Sequence, residues 1–268
     1  MRTAFFARSV AGRIFCTGAL SDAPSAAARR RMLVVPPFAE EMNKSRHVLA
    51  AIVRAAADAG SEVLMPDLYG TGDSEGDFGD ATIDIWRSDL DAAVARMQSE
   101  SPLDVVALRA GALLAADLAA RHAVRSLTLL QPVSEGRQQL TQMLRLRLAA
   151  GLMGGGEKET AAQLRQRLAD GEFLEVAGYR LSGELASGME SLALLQMPAG
   201  AVEQVNWIEL APQADRPLMP VSQRIVDQWR ASGIAVNSTV MVCDQFWATQ
   251  EIARCPAIAQ RVMNLLGD

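Results

Sequence analysis

The sequence predicts one α/β domain, built on a mostly parallel sheet of eight strands with helices on both faces. Short runs rich in Val and Leu alternate with amphipathic helical segments from residue 3 to residue 133, and the alternation returns after residue 200. Strands that are apolar on both faces are typical of a parallel sheet covered by helices. The chain has 268 residues, 50% hydrophobic and 21% charged, which suffices for a large core and argues against disorder.

Each predicted strand is a short apolar run that ends at Gly, Pro or polar residues. Gly12 separates the first two runs, so these are expected to form an antiparallel hairpin. The strands are predicted at 3–10, 12–17, 31–38, 61–70, 103–111, 126–133, 205–210 and 235–242.

The predicted helices show apolar residues at spacings of three and four. Asn43 or Ser45 is the expected N-cap of the first, and Gly60 its stop. The core helices are predicted at 45–59, 82–98, 111–123, 220–231 and 256–266.

Residues 135–200 break the alternation and are interpreted as a helical cap inserted into the fold. Two helical patterns, around Leu144 and around Leu164, flank the glycines at 154–156. The predicted organisation is therefore a core of residues 1–134 and 201–268, with a cap of residues 135–200.

Charge and hydropathy exclude several classes of function. The net charge of −5 and the pI near 5.2 argue against a nucleic-acid-binding protein. No apolar run reaches the length of a membrane span, and the N-terminus lacks the pattern of a signal peptide. These features predict a cytoplasmic protein.

The cysteines and histidines predict neither disulfides nor a metal site. Cys16, Cys243 and Cys255 are widely spaced and odd in number, which favours a reducing compartment without a disulfide framework. The two separated histidines and scattered carboxylates cannot assemble a metal site. No dinucleotide fingerprint or phosphate loop occurs, so no cofactor is expected.

A glycine-rich turn follows the fourth predicted strand. Asp67, Gly70, Gly72 and Ser74 form the pattern D-x-x-G-x-G-x-S, which resembles the turn after the fourth strand of α/β-hydrolases. Glycine permits the positive φ that such a tight reversal needs. A structural role without chemistry is the more frequent one for this motif, and its value lies in the fold assignment.

The loop after the third strand is a candidate binding element. In α/β-hydrolases this loop supplies one backbone N–H of the oxyanion hole. Here Pro37 and Phe38 stand where His-Gly is usual, and Phe38 or Ala39 can still donate an N–H. Glu40 and Glu41 follow, and both are candidates to face the site.

The strand–helix junction at residues 107–111 decides the chemistry. An α/β-hydrolase carries G-x-S-x-G there, but this chain reads Ala-Leu-Arg-Ala-Gly, with Arg109 in the central position. A guanidinium stays protonated and cannot be a nucleophile. Beside Ala110 at a helix N-terminus, it favours an anion such as a carboxylate, phosphate or sulfate. The alternative is that Glu40 or Glu41 neutralises Arg109 internally.

The other members of a catalytic triad are incomplete. An acid normally follows the seventh strand, and Asp215 is the nearest acid there. A histidine normally follows the eighth, but residues 243–247 contain none, and the two histidines of the chain are His47 and His122. We therefore expect no triad, with Glu41, Arg109 and Asp215 as the candidate catalytic residues.

Three further residues follow predicted strand ends and are candidates to line the pocket. Ser134 follows the sixth strand, while Phe246 and Trp247 follow the eighth. The two aromatic rings form either a wall of a ligand site or part of the packing against the cap. Cys243 is expected to be buried and inert, because no histidine partner is evident.

With these motifs in view, the chain resembles the exosortase A system-associated hydrolases, type 2, of the α/β-hydrolase superfamily. The resemblance spans nearly the whole length and rests on PPFAEEMNKSR (36–46), PDLYGTGDSEGDF (66–78), the junction at 108–112, QPVSEGRQQLTQMLRLRLA (131–149) and FWATQEIARCPA (246–257). It implies a Gram-negative cytoplasm and an association with exopolysaccharide production and envelope protein sorting. It does not supply the missing serine and histidine.

Three functions remain open from the sequence. The first is hydrolysis or transfer of an ester, thioester or acyl group, with Glu40 or Glu41 as base and Arg109 stabilising an oxyanion. The second is non-catalytic binding of an anionic acyl or glycan-type small molecule at Arg109. The third is a scaffold that meets a protein partner; a homodimer is one assembly the sequence leaves open.

Overall fold

The computed structural model describes residues 2–20, 30–98, 100–153, 159–198, 200–213, 216–249 and 254–267. Its strands are β1 (Arg2–Arg8), β2 (Arg13–Ala19), β3 (Arg31–Val35), β4 (Glu62–Pro66), β5 (Leu103–Leu108), β6 (Val124–Leu130), β7 (Leu174–Val176), β8 (Tyr179–Leu181), β9 (Val202–Ala211) and β10 (Ala235–Val242). Its α-helices are α1 (Ala39–Asp58), α2 (Ile83–Arg96), α3 (Gly111–Ala119), α4 (Gly136–Met153), α5 (Ala161–Ala169), α6 (Gly183–Glu190), α7 (Pro220–Ala231) and α8 (Pro256–Leu266).

Eight of these strands form one sheet in the order β1-β2-β4-β3-β5-β6-β9-β10. β1 and β2 form an antiparallel hairpin, and β2 also runs antiparallel to β4. All pairs from β4 to β10 are parallel. The predicted eight-stranded, mostly parallel sheet with an N-terminal antiparallel hairpin is confirmed.

The first helix begins earlier than the sequence pattern indicates. Neither Asn43 nor Ser45 is its N-cap; α1 begins at Ala39, and Phe38 precedes it in an extended conformation without a side-chain cap. The capping rule failed because Pro36 and Pro37 end the strand and the chain turns into the helix at once. This start brings Glu41 into the first turn of α1.

The segment between β6 and β9 is less purely helical than predicted. It contains α4, α5 and α6, but also the two-stranded hairpin of β7 and β8. Each of these strands has three residues, too few for a period-of-two pattern to be recognised in the sequence. The glycines at 154–156, interpreted as a hinge, lie outside the described residues.

The core has a cluster of buried apolar side chains on each face of the sheet. One includes Trp86 of α2 and Trp229 of α7, and the other includes Leu49 of α1 and Ile258 of α8. Within the described ranges, no helix is long and apolar enough to cross a lipid bilayer.

Three non-glycine residues with positive φ follow the carboxyl ends of neighbouring strands. Ala39 (φ 50°), Arg109 (φ 55°) and Gln131 (φ 41°) come after β3, β5 and β6. A positive φ costs a residue with a side chain on the order of 1–3 kcal/mol, and such residues cluster at functional sites. The carboxyl edge of the sheet is therefore where the surrounding packing holds the backbone in unfavourable turns.

The cysteines depart from the sequence prediction. Cys243, at the end of β10, is joined to Cys255, just before α8, by a disulfide with a Cα–Cα distance of 6.1 Å. Cys16 is a buried free cysteine. The expectation of no disulfide and an inert Cys243 is wrong, because spacing along the chain could not show that α8 returns to the end of β10.

We predict that this disulfide stabilises the fold. It closes a loop with a sequence separation of 12 residues, for which the loss of chain entropy in the unfolded state is worth about 3 kcal/mol. Reduction with a phosphine should lower the free energy of unfolding measured in urea, whereas a Cys255→Ser variant should be insensitive to the reductant. Titration of the denatured, unreduced protein should find one free thiol; three would contradict the pairing.

Candidate functional site

Arg109 stands at a sharp turn between β5 and α3. Its backbone N–H donates to the carbonyl of Leu130 at 3.0 Å, and its carbonyl accepts the N–H groups of Ala112 and Val133 at 3.1 and 3.2 Å. A Cβ added at Gly111 would lie 2.4 Å from the carbonyl oxygen of Pro36. Glycine is therefore required there for α3 to approach the end of β3 this closely.

The guanidinium of Arg109 is buried and held by side chains from two helices. Nε and Nη2 both donate to Oε1 of Glu41, at 3.1 and 3.0 Å. Nη2 also donates to Oε1 of Gln142 on α4 at 3.0 Å, and Nη1 to the carbonyl of Gln131 at 3.4 Å. The residue is 8% exposed, and its ion pair with Glu41 is therefore largely shielded from water.

Trp247 covers this group from the other side. The guanidinium carbon of Arg109 lies 5.2 Å from the centre of the Trp247 ring, within cation–π range. Phe246 contacts Trp247 edge to face at 5.2 Å and His47 of α1 at 6.4 Å. Both aromatic residues are buried in the cluster that includes α1 and α8, so they pack onto the core rather than onto the cap.

Glu41 is an unusual carboxylate. Its Oε1 accepts both hydrogen bonds from Arg109, whereas its buried Oε2 has no hydrogen-bond partner among the described residues. Burial raises the pKa of Glu41 above its ordinary value, and the charge and hydrogen bonds of Arg109 oppose that rise. Of the two acids that the sequence offered as partners of Arg109, the structure brings Glu41 into contact with it.

Glu40 points to a different partner. Its carboxylate forms an ion pair with Lys44, four residues along α1, at 2.5 Å. About a third of the Glu40 side chain is exposed, so this is a surface pair of little energetic weight.

Phe38, Ala39 and Ala110, which were predicted to contribute to the site, all lie at the start of a helix. Phe38 precedes α1, and its ring packs against Trp86 at 4.7 Å between centroids. Ala39 is the first residue of α1, and Ala110 is the N-cap of α3. All three are buried, and the ring of Phe38 belongs to the core.

Ser134 does not share the described contacts of Arg109. Its hydroxyl donates to Oε1 of Gln138 at 3.2 Å, and it lines a separate cavity of about 200 Å³ with Val221 and Arg224 of α7. Asp215, the predicted acid, lies outside the described residues.

Glu209, near the carboxyl end of β9, is a buried acid that the sequence did not single out. Glu209 of β9 accepts the N–H of Met219 and forms an ion pair with Arg216 at 2.9 Å. A charged residue inside an apolar stretch of a strand is the sequence feature that could have identified Glu209. Gln131 and Gln142 were also missed, because a polar residue after a strand or on a helix is not distinctive.

The histidines hold other positions. Nε2 of His122 lies 2.7 Å from Oδ1 of Asp91, a carboxylate that also binds Arg121, so this ring belongs to an ion-pair cluster between α2 and the end of α3. His47 lies on α1 beside Phe246. No described group of three or more His, Cys, Asp or Glu side chains is arranged to hold a metal ion.

The glycine-rich turn has a structural function. The carboxylate of Asp67 binds the guanidinium of Arg46 and the N–H of Asp73, and Ser74 donates to the Asp67 carbonyl at 2.6 Å. A Cβ at Gly72 would come within 2.0 Å of the Asp67 carboxylate. The turn therefore ties α1 to the end of β4.

Comparison with solved structures identifies the fold. The chain is similar to Est1E from Butyrivibrio proteoclasticus with bound ferulic acid, with a TM-score of 0.71, 14% identity and 98% of each chain covered. It is also similar to mouse alpha/beta hydrolase domain-containing protein 10, with a TM-score of 0.62, 14% identity and 98% of each chain covered. The similarity to an enol-lactonase from Burkholderia xenovorans LB400 has a TM-score of 0.60, with 16% identity and coverage of 98% of this chain and 100% of that chain.

These similarities show an α/β-hydrolase fold. At such low identity they carry the fold alone, and no catalytic residue follows from them. No family model and no curated protein sequence matches the chain.

We predict that Glu41 makes the stability of the protein depend on pH. A carboxyl whose pKa is raised by folding stabilises the native state below its ordinary pKa, and this contribution is lost as the pH rises through the higher native value. The free energy of unfolding of the wild type minus that of Glu41→Gln should therefore fall as the pH rises from about 4 to about 7.

A second background sharpens this measurement. Because Arg109 opposes the rise in the pKa of Glu41, the fall should be steeper when the same comparison is made in an Arg109→Gln background. A difference that stays flat or increases with pH in the wild-type background would show that burial does not dominate at Glu41.

Proposed function

We propose that this chain is a non-hydrolytic α/β-hydrolase-fold protein that binds a small anionic molecule at Arg109. Glu41 holds the guanidinium in the free protein and gives way to the anionic group of the ligand. The observation that carries this proposal is the buried pair itself, with Nε and Nη2 of Arg109 both on one oxygen of Glu41 at 3.1 and 3.0 Å.

The residue at the turn argues against the usual hydrolytic route. A nucleophile at this junction must lose a proton to a histidine, but a guanidinium remains charged and has no nucleophilic lone pair. The two histidines are placed beside Asp91 and Phe246. Serine chemistry at position 109 is therefore replaced by a fixed positive charge.

The same position is suited to an anion. The backbone N–H groups at the start of α3 and the guanidinium of Arg109 both favour negative charge at this end of the helix. Glu41 offers them a single oxygen, whereas a ligand carboxylate or phosphate offers two or more and can bond the guanidinium bidentately. Two N–H groups of the guanidinium then each bond a separate oxygen of the ligand, whereas they share one oxygen of Glu41.

Glu41 is easily exchanged for such a group. Its buried Oε2 has no hydrogen-bond partner in the described part of the chain, and burial raises its pKa, so the carboxylate is held at a cost in solvation. Movement of Glu41 toward water recovers that solvation when the ligand arrives. Trp247, whose ring centre lies 5.2 Å from the guanidinium carbon, keeps Arg109 in place on its other side while Glu41 moves.

The ligand class we propose is an anionic acyl or glycan-type small molecule. The resemblance to exosortase-associated hydrolases supports a molecule related to exopolysaccharide production. The fold comparisons are neutral on this choice.

A second candidate function is hydrolysis of an ester or thioester with Glu41 as general base. The unpartnered Oε2 and the raised pKa of Glu41 favour it, and Arg109 would stabilise the oxyanion. A third, a scaffold with a vestigial site, is favoured by the closed pairing of Arg109 with Glu41.

Calorimetric titration with propionate and with inorganic phosphate tests the proposal. Arg109→Gln should weaken binding of the better probe by about 10- to 100-fold, since a hydrogen bond to a charged group is worth roughly 1.5–3 kcal/mol. Glu41→Gln should strengthen it, because the internal competitor loses its charge. Arg180→Gln is the matched control, since Arg180 also stacks on an aromatic ring, Phe173 at 4.3 Å, but lies outside the site.

The outcomes separate the three candidates. If the wild type hydrolyses p-nitrophenyl butyrate and Glu41→Gln does not, the protein is a hydrolase and the binding proposal is wrong. If neither the wild type nor Glu41→Gln binds an anion, the binding proposal is wrong and the scaffold function is favoured.

A further inference from the structure

β10 is the edge strand at one end of the sheet, and its sequence differs in character from that of β1, the edge strand at the other end. It runs parallel to β9 from Ala235 to Val242, and no other described strand pairs with it. At the opposite end β1 ends at the exposed Arg8, and a charged residue on an edge strand discourages pairing with a further strand.

The sequence of β10 carries none of the usual protection of an edge strand. Its eight residues, AVNSTVMV, include no charged residue, no proline and no glycine. Val242 is 58% exposed, and the four residues before it are partly exposed. A long edge strand without charge, five of whose eight residues are apolar, is expected to pair with another strand.

The hydrogen bonds show which backbone groups of β10 point away from the sheet. The N–H of Cys243, immediately after the strand, donates to the carbonyl of Ala211 at 2.9 Å, so the odd-numbered residues face β9. Because alternate residues of a strand face opposite sides, Ser238, Val240 and Val242 direct their N–H and C=O groups outward.

The start of the strand is already occupied. The guanidinium of Arg230 donates to the carbonyl of Val236 at 3.0 and 3.3 Å and to the hydroxyl of Ser238 at 3.2 Å. Arg230 of α7 thus covers the outward carbonyl of Val236. Among the described residues, no hydrogen bond engages the outward backbone groups from Ser238 to Val242, and this stretch is left for pairing.

We propose that this open stretch of β10 pairs antiparallel with β10 of a second copy of the chain. With a twofold axis at Val240, the two Val240 residues pair with each other, and Ser238 of each copy pairs with Val242 of the other. Each of these pairs exchanges two backbone hydrogen bonds, which gives six across the interface. Arg230 ends the pairing on both sides of the axis.

A second copy fits this edge better than a charged partner segment. A twofold interface requires a surface complementary to itself, and an antiparallel strand with no charge satisfies that requirement without repulsion. α7, which packs beside β10, carries Arg224, Asp227 and Arg230, so two copies present charges of both signs to each other. Dimerisation also removes Val242 from water.

Sedimentation velocity over a range of protein concentrations tests the proposal. The wild type should show a monomer–dimer equilibrium. Val240→Lys and Val240→Glu should each shift the dissociation constant upward by at least tenfold, because like charges then face each other across the axis. An equimolar mixture of the two variants should recover the dimer, since the charges are then opposite.

Ala4→Lys is the matched control, since Ala4 is exposed on the edge strand at the other end of the sheet. It should dimerise like the wild type. Far-UV circular dichroism checks folding, and Val242→Lys provides a second variant at a more exposed position. A wild type that is monomeric at all concentrations, a dimer unaffected by both valine variants, or a mixture that fails to recover would each overturn the proposal.

Discussion

The ion pair between Arg109 and Glu41 is the interaction on which the carboxyl edge of the sheet depends. A guanidinium removed from water without a partner costs several kcal/mol, so its burial at the end of β5 requires an acid within hydrogen-bonding distance. Glu41 meets this requirement because α1 begins at Ala39, soon after the two prolines that follow β3. Gln142 and Trp247 then complete the surroundings from α4 and from the segment after β10.

The backbone supports the same arrangement. Positive φ at Ala39, Arg109 and Gln131 is tolerated because the neighbouring strands and helices fix each turn. Gly111 lets α3 lie against the end of β3, and the glycine-rich turn after β4 ties α1 down through Asp67 and Arg46. The turns at this edge of the sheet are thus fixed by packing, and the side chain that the turn between β5 and α3 carries is the guanidinium of Arg109.

Much of the fold could be predicted from the sequence, because continuous apolar strands and helical periodicity are local signals. The eight-stranded sheet and the hairpin of β1 and β2 follow from them. The start of α1, the short hairpin of β7 and β8, and the disulfide could not, since each depends on tertiary packing. In the site, the position of Arg109 at the turn between strand and helix could be predicted from the motif at residues 107–111. The choice of Glu41 over Glu40 was not, because it depends on the phase of α1.

A double-mutant cycle of Arg109→Gln and Glu41→Gln, read by urea unfolding at neutral pH, tests the central interaction most directly. If the two side chains are paired in a buried site, the two single losses should fail to add, with an interaction energy on the order of 1–3 kcal/mol. Losses that add to within about 0.5 kcal/mol would show that Glu41 does not hold Arg109, and the proposed site would fall with the pair.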